Sequence, residues 1–166
     1  MKYRRSRAKG ATFFFTVVTD KRKKLLCVKE NVKIIKDAFK YVSSQHPFMS
    51  DAFVMLPDHI HTVWTLPEGD NDFSTRWRLI KRYFNKKGNH ENSAWQKRFW
   101  EHTIRNDKDF VNHVDYIHYN PVKHGYVKSP KDWEHTTFHR YVRDGVYNID
   151  WGTAEEMKFD SYVGNE

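Results

Sequence analysis

Residues 11–19, ATFFFTVVT, are a β-branched and aromatic run, which predicts a buried strand. The period then changes. Val32, Ile35, Phe39 and Val42 recur at helical spacing within 30–45, and the predicted helix stops before QHP. DAFVML and HIHTVWTL predict two further strands joined by the tight link PDH. In GDNDFST, Asp72 or Ser74 offers a helix cap, and Phe73, Trp77, Ile80 and Phe84 form one apolar stripe behind it. WQKRFWEHTI, 95–104, predicts another strand. A long helix follows from an Asn106 cap to Gly125, with Phe110, Val114 and Ile117 as its apolar stripe. Strand, helix, strand, strand, helix, strand, helix is the order of an α+β sandwich with helices on one side of an antiparallel sheet. The ferredoxin-like split βαβ is the simplest such fold.

No repeat, low-complexity linker or composition shift interrupts the chain, so one domain over 1–166 is expected. Its core would span about 10–125, with a C-terminal extension of irregular structure and short helices over about 126–166. Aromatic residues make up 16% of the 166 and supply ample material for a core. Mean hydropathy is −0.87 and no apolar run is long enough for a membrane span. The basic N-terminus MKYRRSRAKG is not followed by the apolar region of a secretory signal. One cysteine, Cys27, excludes an internal disulfide and any cysteine-rich zinc site. A soluble cytoplasmic protein is expected.

Charge sharpens the picture. The net charge is +8, and cations cluster at Arg4, Arg5, Arg7 and Lys9, at KRKK (21–24), and around Arg76, Arg78, Lys81, Arg82, Lys86 and Lys87. Cations neutralise phosphates and release counterions, and rings stack on unpaired bases, so nucleic acid is the partner class that this composition suits. A well-solvated basic surface is the alternative. Arg78, Lys81 and Arg82 lie opposite the apolar stripe of their helix, towards solvent or a phosphate backbone.

The candidate chemistry starts with VMLPDHIHTVW, 54–64. Residues two apart in a strand share a face, so His59 and His61 project together as two imidazoles able to grip one metal ion, while Ile60 enters the core. On the long helix, Tyr116 lies off the apolar stripe and Asn120 sits one turn beyond it, which puts a phenol and an amide oxygen on one face. Tyr119 is a rival nucleophile near the same asparagine, and Tyr126 lies beyond Gly125. His113 and His118 read as bystanders or DNA contacts. His135-Thr136-Thr137 resembles one half of a two-histidine phosphoesterase motif, but the second His-x-Thr is missing because His59 is followed by His61.

LPDHIHTVWTLPEGDNDFSTRWRLIK, WQKRFWEHTIRNDKDF and HVDYIHYNPVKHGYVKSPKDWEHTTFHRYV together resemble the REP-associated tyrosine transposases, stand-alone relatives of the single-tyrosine HUH transposases. The similarity runs from about residue 3 to about 151. It implies a ferredoxin-like core, cleavage and rejoining of single-stranded DNA at bacterial repetitive extragenic palindromes, a divalent ion (Mg²⁺ or Mn²⁺) and a transient 5′-phosphotyrosine. By that resemblance His59 and His61 are metal ligands, Asn120 is the third ligand and Tyr116 is the nucleophile. Glu101 and His102 match the family signature without a role that spacing reveals. The partner implied is a single-stranded hairpin with a flanking tetranucleotide; from the charge pattern, Arg4, Arg5 and Arg7 and the Arg78, Lys81 and Arg82 face are the best candidates for holding it. A monomer is favoured, although the mobile-element relatives are dimers. Two imidazoles suit Mn²⁺ better than Mg²⁺. The alternative is a non-catalytic nucleic-acid-binding domain of the same fold, acting as a repressor or architectural protein.

Overall fold

A computed structural model describes residues 10–154 and 156–164. Four strands, β1 (Thr12–Val18), β2 (Met49–Leu56), β3 (His59–Thr65) and β4 (Trp100–Thr103), form one sheet in the order β2-β3-β1-β4. All three pairings are antiparallel. Helix α1 (Lys29–Gln45) joins β1 to β2, and α2 (Phe73–Lys87) joins β3 to β4. β1 and β2 therefore run parallel with β3 between them, and β3 and β4 run parallel with β1 between them. These are two interleaved split βαβ units, the α+β architecture that the pattern predicts.

Side chains of β1 alternate between two cores. Phe13, Phe15 and Val17 join Met55, Ile60 and Trp64 beneath α1 and α2. Trp64 stacks on Trp77 of α2 with ring centroids 4.3 Å apart. Phe14 joins Ala52, Val54, Leu56 and Val63 on the opposite face, under α3 (Asp107–Lys123) and α4 (Phe138–Arg143). Here the structure differs from the expectation of helices on one side. The two crossover helices do share one face, but α3 covers the other, because every residue of β1 and β3 is buried, so both faces need a cover.

Asp72, not Ser74, caps α2, accepting from the Thr75 backbone N–H at 3.1 Å. Asn106 caps α3 by accepting from the Asp109 N–H at 2.8 Å. Gly125, with φ of 76°, takes the left-handed turn that ends it. β4 is shorter than the run 95–104 suggested. Trp95 makes only an isolated bridge to Thr19, and regular pairing resumes at Trp100.

The C-terminal extension covers the otherwise open edge of β2. The Met55 N–H donates to His135 O at 2.9 Å, the Thr137 N–H to Phe53 O at 2.9 Å, and Trp133 Nε1 to Met55 O at 3.0 Å. An edge so occupied is closed to pairing with another chain. Thr136 and Thr137 thus serve the sheet, which removes the half-motif at His135 from the candidate chemistry. Among the described residues no helix is long and apolar enough to cross a membrane.

Candidate active site

β3 delivers His59 and His61 to the α3 face, with Ile60 in the opposite core. Their ring centroids lie 4.8 Å apart. Each Nδ1 is held by a neighbour. Asp58 Oδ1 lies 2.7 Å from His59 Nδ1, and Thr16 Oγ1, opposite in the β1–β3 register, lies 2.8 Å from His61 Nδ1. Such contacts fix ring orientation and assign coordination to Nε2, as the outer partners of metal-bound histidines do. Burial alone would raise the Asp58 carboxyl, but the His59 hydrogen bond and the Arg22 guanidinium outweigh it and hold the group below the ordinary carboxylate range.

α3 supplies the other side. Asn120 Oδ1 lies 3.2 Å from His59 Nε2, and the Tyr116 ring lies 5.3 Å from that of His61 in an edge arrangement. Lys123 donates to the Tyr116 hydroxyl at 3.1 Å. His124 brings a third imidazole within 5.0 Å of His59. The four residues proposed from sequence therefore converge on one spot. Two imidazoles already orientated through Nδ1, with an amide oxygen beside one Nε2, form a donor set that fits a divalent ion.

Tyr116 lies off the apolar stripe of α3, yet it is not at the surface. It is 2% exposed, covered by the end of the chain. Phe159 meets its ring edge-on at 5.3 Å, and a Cβ built on Gly164 would lie 2.7 Å from its hydroxyl and closer still to two ring carbons. Tyr119 meets the same Phe159 at 6.1 Å and Trp151 of the extension at 6.5 Å, while the ring contact to His61 is made by Tyr116. His118 is wholly buried, and burial pushes its pKa down to about 3. Its nitrogens pair with Tyr147 and Thr137, so it holds the extension. His113 is likewise buried.

On the other face, Arg78, Lys81 and Arg82 line an open cavity of about 610 Å³ with Lys97, Trp77 and Phe99. Burial lowers the Lys81 pKa to about 8. Arg76, from the same basic cluster, is not part of it. It is 2% exposed, forks onto Asp70 at 2.9 and 3.1 Å, and satisfies the carbonyls of His46 and Pro47. Arg4, Arg5 and Arg7 lie outside the described residues.

Sequence reasoning missed Thr16, Lys123, His124 and the covering tail. Asp58 could have been noticed beside the histidine pair, but the others depend on register and tertiary packing.

No family model matches the chain. A REP-associated tyrosine transposase of Escherichia coli (strain K12) is 51% identical over 150 residues, covering 90% of this chain and 89% of the relative. A putative REP-associated tyrosine transposase of Haemophilus influenzae is 41% identical over 169 residues, covering 94% and 96%. Among solved structures, a REP-associated tyrosine transposase bound to a REP hairpin superposes with a TM-score of 0.84 at 47% identity, covering 100% of this chain and 98% of the other. A putative transposase from Deinococcus radiodurans, with a TM-score of 0.52 and 18% identity over 70% of this chain and 95% of its own, shares the fold. At this identity and coverage, the chain belongs to the REP-associated tyrosine transposases.

Proposed function

We propose that the protein cuts and rejoins single-stranded DNA at REP-type hairpins, with Tyr116 as the covalent nucleophile and His59, His61 and Asn120 as the holders of a divalent ion. The observation that carries this reading is the convergence of Tyr116 on the histidine pair, at 5.3 Å between rings, with Asn120 Oδ1 3.2 Å from His59 Nε2. The solved relative that bears a REP hairpin supports the choice of substrate.

A bound divalent ion would supply Lewis-acid polarisation of the scissile phosphate. The protein's own part is positioning and charge. Tyr116 Oη forms the bond to phosphorus as the P–O3′ bond breaks. The phenol proton passes to solvent and the departing O3′ takes one up, leaving a 5′-phosphotyrosine and a free 3′-hydroxyl. The Lys123 ammonium, 3.1 Å from the phenol oxygen, stabilises negative charge there as the proton leaves. Attack by a 3′-hydroxyl reverses the step, and the energy of the phosphodiester is conserved in the tyrosyl ester, so rejoining requires no ATP.

Arg78, Lys81 and Arg82 are the cations best placed to follow the phosphate backbone. Arg4, Arg5 and Arg7 are the further cations proposed, on sequence alone, to hold the hairpin. The hairpin with its flanking tetranucleotide is the proposed partner, and the protein acts as a monomer in the bacterial cytoplasm. Incubation with Mn²⁺ and a labelled single-stranded palindrome is expected to give strand cleavage that EDTA abolishes. Cleavage that persists in EDTA would overturn the metal role.

A further inference from the structure

A second group of imidazole and carboxylate donors lies outside the machinery just described. His102 of β4 pairs with Phe14 in the sheet, and Phe14 pairs on its other side with Val63, two residues beyond His61. His102 therefore sits on the α3 face, two strands over from β3. α3 closes over it with Asp109 and His113, one turn apart and so on a shared helical face. One donor atom from each of the three lies within 4.8 Å of the others. The imidazoles of His102 and His113 stack with centroids 4.6 Å apart, and His102 Nε2 lies 2.8 Å from Asp109 Oδ2.

Hydrogen bonding leaves this cluster incomplete. Asp109 Oδ2 accepts from the Arg105 backbone N–H at 2.9 Å as well as facing His102. Among the described residues, Asp109 Oδ1 has no hydrogen-bond partner, and neither has His113 Nε2, although both atoms are buried. His113 Nδ1 is 3.2 Å from Oδ1, but its one proton goes to the Asp109 carbonyl at 2.8 Å. With Nδ1 donating to a carbonyl, which can only accept, the neutral ring presents a lone pair at Nε2. A buried carboxylate oxygen and a buried imidazole lone pair, both unsatisfied in a native fold, call for an occupant that is a cation or a proton donor.

We infer that His102, Asp109 and His113 form a second divalent-metal site, separate from the His59–His61–Asn120 group and suited to Zn²⁺ or a similar late transition ion. Two imidazoles and one carboxylate with a fourth position left to water form a familiar zinc donor set, whereas Mg²⁺ disfavours imidazole. His102 joins by shifting its proton from Nε2 to Nδ1, which its partly exposed side chain permits. The Arg105 guanidinium, 3.4 Å from Oδ2, is the opposing charge, but its side chain is 62% exposed and it faces the oxygen that the ion does not need. An ion here would tie the edge strand β4 to α3, one turn before Tyr116.

The test uses the untagged full chain carrying His59→Ala and His61→Ala, so that the first histidine pair contributes nothing. After stripping with chelator, the protein is titrated with Zn²⁺ and, in parallel, with Co²⁺. The expected result is one tightly held equivalent of Zn²⁺, a visible Co²⁺ absorption of low coordination number, and a rise in Tm on adding Zn²⁺. Adding His102→Ala, the change least disruptive to the core, should weaken binding beyond the roughly tenfold to hundredfold that loss of an outer-sphere partner costs. The Tm response should vanish with it. No retained metal in the double variant, or the same stoichiometry and affinity after His102→Ala, would overturn the site. Because the readout involves no DNA, neither result bears on strand cleavage.

Discussion

Gly164→Ala should make the protein a faster nuclease. Gly164 has φ of 67°, and a Cβ there would collide with the Tyr116 ring. A non-glycine residue in the left-handed region costs about 1–2 kcal/mol, and relieving the overlap adds to that. What opposes opening is Val163, 4% exposed and packed into the α3-face core, together with Phe159, partly buried against the same cluster. Full burial of such a side chain is worth about 1.5–3 kcal/mol. The substitution therefore offsets much of what holds the tail down, and about 1.4 kcal/mol corresponds to tenfold more open molecules. With DNA limiting, cleavage of a labelled hairpin should rise by about tenfold, and truncation before Phe159 should reach at least that rate. Gly145→Ala is the control, since its φ of 79° brings the same strain with nothing near its Cβ, and it should leave the rate unchanged. A Gly164→Ala protein that binds the hairpin normally but cuts no faster than wild type would refute the covering role of the tail.

Three further outcomes are expected. His59→Ala and Asn120→Ala should each abolish cleavage, while fluorescence anisotropy reports hairpin affinity close to wild type, because phosphate contacts carry most of that affinity. Asp58→Asn, which removes the negative partner of His59 Nδ1, should raise the Mn²⁺ concentration needed for half-maximal cleavage by roughly tenfold to hundredfold. Lys81, with its pKa lowered to about 8, loses its charge in the folded protein as pH rises through that value, whereas in the unfolded chain it stays protonated up to about the ordinary 10.5. Between those values the unfolded state binds more protons, so this group makes stability rise with pH while phosphate affinity falls. Lys81→Arg should remove the fall in hairpin affinity between about pH 7 and pH 9, and an unchanged pH profile would exclude Lys81 from the interface.

Much of the site could be read from periodicity. Alternation along β3 is enough to put His59 and His61 on one face and Ile60 on the other, and a four-residue step is enough to align Tyr116 with Asn120. The split βαβ follows from runs such as ATFFFTVVT and the stripe Phe73, Trp77, Ile80 and Phe84. What could not be read depends on contacts distant in sequence. Thr16 reaches His61 only through the antiparallel register of β1 and β3. α3 covers the second sheet face because β1 is buried on both, which its sequence hints at but does not assign to a helix. Tyr116 looks exposed when α3 is considered alone and is buried by residues more than forty positions later. Arg76 looks like one more surface cation, yet its neighbours turn it into a buried clamp on Asp70.

The most direct test of the central claim is the location of the covalent bond. The protein is incubated with Mn²⁺ and a single-stranded REP-type hairpin, the denaturant-resistant complex is isolated, and the nucleotide-bearing peptide is identified. Trypsin releases residues 109–123 as one peptide carrying both Tyr116 and Tyr119, so fragment ions must separate the two. The expected result is a 5′-phosphate ester on Tyr116, lost in Tyr116→Phe and retained in Tyr119→Phe. A label on Tyr119, or cleavage with no adduct under any trapping condition, would contradict the account.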